Sequence, residues 1–117
     1  LPQTRSSVTR KFSVPMLDGP LDFYVTAGFY EDGKLGEVFI DADKVGGLAH
    51  GALQTIGLLL SLALQYGVPI MTLVDKLKSI RFEPNGLTGD REYPSCSSIV
   101  DLIARWLGDV IVKGVVK

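Results

Sequence analysis

The chain has 117 residues, 46% of them hydrophobic and 21% charged, with a net charge of −1. That is enough for one domain with one core, and the balance is that of an ordinary globular protein. A near-neutral chain offers no overall field for nucleic acid or an acidic membrane, and the basic cluster Arg5, Arg10 and Lys11 is the size of a solvated terminal arm. We therefore expect a single domain over residues 1–117, with residues 1–9 as a mobile arm.

In chain order, Lys11–Val14 is predicted to be a strand, followed by a loop holding Pro15, Gly19 and Pro20. Phe23, Val25, Ala27 and Phe29 alternate with Tyr24, Thr26, Gly28 and Tyr30, the period of two of a half-buried strand. Glu31-Asp32-Gly33-Lys34 is a hairpin signal, and the return strand runs from Gly36 to Asp41.

The second half is helical in pattern. From about Leu48 to Tyr66 the chain is apolar on nearly every side, which leads us to expect a buried central helix. No charge occurs from Gly51 to Val74, a stretch long enough for a bilayer. Gln54, Thr55, Ser61, Gln65 and Thr72 interrupt it, and Gly67-Val68-Pro69 breaks a helix, so a buried helix, a turn and a second helix from Ile70 to about Ser79 are expected instead. Ser97 or Ser98 can cap a last helix, with Ile99, Ile103, Trp106 and Val110 on one face and an Asp101–Arg105 pair on another. Strands followed by helices predict an α+β fold, an antiparallel sheet of about three strands packed against about three helices.

Catalytic signatures are scarce. His50 is the only histidine and Cys96 the only cysteine, so a zinc site of His and Cys ligands within one subunit is not expected. One cysteine and no leader-like opening lead us to expect a reducing, cytoplasmic setting.

Two places could hold a ligand. Gly46 and Gly47 open a helix, where backbone N–H groups attract an anion, though the same residues also make a plain flexible turn. The Arg81–Asp90 loop combines a cationic fork (Arg81), a stacking face (Phe82), a carboxylate (Glu83) and the turn residues Asn85, Gly86 and Thr88. That set could take a phosphate and a base. It could equally hold itself together, with Arg81 on Glu83 or Asp90 and Phe82 in the core.

Several blocks resemble adenosylcobalamin-dependent (class II) ribonucleotide reductases, in the region that follows the catalytic barrel. They are Arg10–Val14, Tyr24–Ile40 (YVTAGFYEDGKLGEVFI), Leu60–Pro69 (LSLALQYGVP), Leu73–Asp90 (LVDKLKSIRFEPNGLTGD) and Ser98–Leu107 (SIVDLIARWL), in the same order. The resemblance implies a module without the radical-bearing and reducing cysteines or the cobalamin site, which belong to the barrel, so no catalytic residue, metal or cofactor is expected here. A cysteine-rich tail usually follows this module, and the sequence ends at Gly114-Val115-Val116-Lys117 without one. No redox role is assigned to Cys96. The implied function is that of an accessory or assembly domain in deoxyribonucleotide synthesis. It would act on a reductase catalytic subunit or on a second copy of itself, with exposed apolar sheet residues such as Tyr24, Tyr30 and Phe39. The alternative is a stand-alone protein that binds a nucleotide through Gly46, Gly47 and the Arg81–Asp90 loop.

Overall fold

The computed structural model describes residues 6–42 and 47–113. Strands β1 (Ser6–Val14), β2 (Leu21–Phe29) and β3 (Leu35–Ala42) form an antiparallel meander in the order β1-β2-β3. Residues 6–9 of the expected arm lie inside β1, paired with Ala27, Thr26 and their neighbours on β2. Alternation decides which face is buried: Phe12 and Val14, Phe23, Val25 and Ala27, and Val38, Ile40 and Ala42 all point inward. Phe12 sits opposite Phe23, with ring centroids 5.6 Å apart.

The hairpin forms where Asp-Gly stands. Tyr30 N–H donates to Lys34 C=O at 2.9 Å, Asp32 Oδ1 accepts the Lys34 N–H at 3.0 Å, and Gly33 adopts φ +87°.

Three helices follow: α1 (Gly47–Gln65), α2 (Ile70–Leu77) and α3 (Ile99–Lys113). A two-stranded ribbon of β4 (Gly86–Leu87) and β5 (Ser95–Cys96) precedes α3. The architecture is thus α+β, with the strands N-terminal and the helices C-terminal. The central helix is α3, whose Leu102, Ile103, Trp106, Leu107 and Val110 are buried. Trp106 meets Phe12 edge-on at 6.4 Å.

The expectation of a buried central helix over residues 48–66 needs correction. Helix α1 lies along the outer edge of β3, with Leu53, Gly57, Leu60 and Ser61 buried and much of its surface open. Two small residues permit that placement. A Cβ on Gly57 would sit 3.2 Å from Ile40 N and 3.3 Å from Val38 O, so glycine lets the helix approach the strand backbone this closely without a shift of either. One turn on, Ser61 Oγ accepts the Val38 N–H at 3.0 Å and donates to Val38 C=O at 2.9 Å. The helix thereby covers an edge strand and pairs its exposed backbone groups.

Candidate functional site

The chain between α2 and α3 holds most of the polar chemistry. Arg10 reaches it from β1, stacked 4.6 Å above the Phe12 ring. Its Nη2 donates to Asp90 Oδ1 at 2.8 Å, Asp90 Oδ2 at 2.9 Å and Glu92 Oε1 at 3.2 Å. Asp90 Oδ2 also accepts the N–H groups of Glu92 and Tyr93, each at 2.9 Å. Thr88 Oγ1 donates to the Tyr93 carbonyl and accepts the Asp90 N–H at 3.0 Å. Partial burial opposes ionisation of Asp90, but Arg10 and the backbone donors outweigh it and hold its pKa below the usual carboxylate value. Tyr93 Oη donates to Asp109 Oδ2 on α3 at 2.6 Å, and burial together with that carboxylate pushes its pKa well up.

A second hub is Asp101, buried at the start of α3. Its Oδ1 accepts the Ser79 N–H at 2.6 Å, and its Oδ2 accepts the Ser97 N–H at 3.0 Å and Arg105 Nε at 3.1 Å. Ser98 caps the helix, accepting the Asp101 N–H at 3.0 Å and donating to Ile80 C=O at 2.6 Å. Arg105 Nη2 donates to Ser95 C=O at 2.6 Å. Ser79, at φ 71°, is held in the left-handed region where its N–H meets Asp101.

Beside this hub is a polar cleft of about 360 Å³ whose walls include Arg81, Arg105, Ser97 and Cys96. Arg81 has no hydrogen-bond or ionic partner among the described residues, so its guanidinium is available to an anion. The expected pairing of Arg81 with Asp90 does not form, because Arg10 has taken Asp90 from the neighbouring strand. Cys96 lies at the cleft's inner side; burial, then the Asp101 charge, raise its thiol pKa, against a smaller opposing effect of Arg105.

The other expected site residues are dispersed. Gly86 lines the same cleft as Arg81, at φ +104°. Thr88 is buried and its hydroxyl is committed to the loop. Phe82 is exposed rather than seated in the core, and its N–H donates to Ser97 C=O at 3.1 Å. Glu83 and Asn85 are exposed. Gly46 lies outside the described residues. Gly47, at φ +83°, lines a separate cleft of about 250 Å³ with Met16, Asp18 and His50. His50 itself pairs with Asp41 at 3.2 Å, at the junction of β3 and α1. No group of three or more His, Cys, Asp or Glu residues that could hold a metal occurs among the described residues.

Relatives match this chain over nearly its whole length. The model of the TSCPD domain matches residues 3–111. The chain belongs to the TSCPD domain family. A vitamin B12-dependent ribonucleotide reductase of Rhodopirellula baltica is 43% identical over 114 residues, covering 97% of this chain and 11% of that protein. Reductases of the same description from Streptantibioticus cattleyicolor and Bradyrhizobium diazoefficiens are 42% and 37% identical, each over 92% of this chain. The TSCPD chain spans 17% of the first and 8% of the second. It thus corresponds to one domain's worth of a much longer enzyme. No solved structure matches it significantly.

The larger clefts among the described residues, of about 250 to 420 Å³, are at the small end for a drug-sized ligand.

Sequence reasoning found the Asp101–Arg105 pair and the Ser98 cap but missed the bonds of Asp101 to Ser79 and Ser97, and it missed the Arg10–Asp90 hub entirely. Asp101 carried a legible signal, since Ser98-Ile99-Val100-Asp101 has the spacing of a capping box. Arg10 and Asp90 are separated by 80 residues and carried none.

Proposed function

We propose that this TSCPD domain is a non-catalytic accessory module of deoxyribonucleotide synthesis, working through protein contact in the cytoplasm. The observation that carries this reading is a division of labour among its side chains. Asp90, Asp101 and Tyr93 are engaged in holding the fold, and the Cys96 thiol is held protonated. The outer side of α1, by contrast, is uncharged, apolar and open. Of the sheet residues expected to serve as contacts, Phe39 is exposed while Tyr24 and Tyr30 are half-buried. Cobalamin, in this reading, stays with the remainder of a reductase.

The test is to add the purified chain to a B12-dependent reductase from the same source that lacks its own copy of this segment. Turnover and sedimentation are followed with and without it. The reading expects a change in one or both; no change in either would sink it.

A second reading is supported by Arg81 alone. An unpaired guanidinium beside Arg105 and Ser97 suits a phosphorylated ligand such as a nucleotide. A nucleotide at 100 times its Kd would add roughly 2.7 kcal/mol of stability in a thermal-shift screen. Arg81→Ala should remove that shift without lowering the melting temperature of the unliganded chain.

A further inference from the structure

Helix α1 carries two stripes. Leu53, Gly57, Leu60 and Ser61 face the sheet edge. On the opposite side Leu48, Ala52, Thr55, Leu59 and Leu62 are exposed, followed by Tyr66 in the turn just past the helix, Leu48 by 89%, Leu59 by 58% and Tyr66 by 86%. These six positions alternate steps of four and three residues, the spacing of a coiled-coil seam rather than of a helix whose open side is simply solvated. The one polar member, Thr55, donates its hydroxyl to Gly51 C=O at 2.8 Å and so can present its methyl outward. Residues flanking the seam are Gly51, Leu58 and Gln65 on one side and Ala49, Ile56 and Ala63 on the other, without a charge.

We infer that this seam pairs two copies of the chain, with the two α1 helices antiparallel about a two-fold axis. The inference rests on the contact-module reading and names the partner. The step pattern reads the same in both directions, so an antiparallel copy meets it in register: Leu48 against Tyr66, Ala52 against Leu62, Thr55 against Leu59. The small residues of one helix then face the large ones of the other, as close packing requires. Leu48, Leu59, Leu62 and Tyr66 are the large exposed apolar side chains that a second copy would cover. The helix positions flanking the seam carry no charge that would repel an identical helix.

Sedimentation of the chain across the micromolar range tests this. A reversible dimer is expected, and Leu59→Glu should weaken it by on the order of 100-fold or more while leaving the circular dichroism unchanged, because Leu59 is exposed in the single copy. Ala52→Cys and Leu62→Cys variants should cross-link to each other on oxidation and not to themselves. A monomer at every concentration overturns the proposal, as does a dimer indifferent to Leu59→Glu, or Leu62→Cys linking to itself. Helix α1 is also long and apolar enough to cross a membrane. Flotation of a monomeric chain with phosphatidylcholine–phosphatidylglycerol vesicles would overturn the dimer in favour of lipid. A monomer that still alters the reductase would leave the accessory reading standing without the dimer.

Discussion

Ser61 spans both backbone groups of Val38, accepting its N–H at 3.0 Å and donating to its C=O at 2.9 Å. A helix side chain here does what a fourth strand would otherwise do. Removing it in Ser61→Ala leaves a buried edge N–H without its partner, which costs about 1–3 kcal/mol. Urea denaturation, at concentrations low enough to keep the chain monomeric, should show a lower midpoint with an unchanged slope.

The same contact sets opposite outcomes for two glycines of one helix. Gly51 has nothing within 4 Å of an added Cβ, so Gly51→Ala should stabilise the monomer by up to about 1 kcal/mol through helix propensity. Gly57 faces the backbone of Val38 and Ile40, so Gly57→Val should push α1 off β3 and destabilise the chain by about 2 kcal/mol or more. Thermal unfolding of the pair separates propensity from contact; equal effects would refute the close approach.

The Arg10–Asp90 clamp gives the stability an acid limb. The folded pKa of Asp90 lies below its unfolded value near 3.8, so the unfolded state takes up protons first as the pH falls. The clamp's contribution is therefore complete above that value and is lost as the pH drops through the folded pKa. Asp90→Asn should flatten this part of the stability–pH curve and lower stability at neutral pH. Unfolding midpoints measured from pH 7 to pH 2 check both effects.

Arg81 and Asp101 line one cleft but should behave differently. Arg81 has no partner among the described residues, so Arg81→Ala should change stability by less than about 0.5 kcal/mol. Asp101→Ala orphans the N–H groups of Ser79 and Ser97 and releases Arg105, which should cost about 3 kcal/mol or more. A large loss of stability in Arg81→Ala would mark the loop as structural.

Cys96 should be a slow thiol. Burial, then Asp101, hold its pKa above the ordinary 9.0, so the thiolate is scarce at neutral pH. Reaction with an aromatic disulfide reagent should be slow in the native chain and rapid once it is unfolded; fast native labelling would contradict the buried placement.

The sequence by itself determined the three meander strands, the three helices and their order, though not the short β4–β5 ribbon. Alternation over 23–29, Asp32-Gly33, Pro69 and the Ser98 cap are local signals, because dihedral preference and a period of 2 or 3.6 act over a few residues. The resemblance to the reductases was equally legible. Tertiary structure alone decided which helix became central. Helices α1 and α3 are both rich in apolar residues, but α3 carries Trp106 toward Phe12, while α1 carries Gly57 and Ser61 toward an edge strand's backbone. It also decided that Arg10 rather than Arg81 would neutralise Asp90. Charge pairing follows distance in space, and the meander brings β1 beside a loop some eighty residues further along the chain.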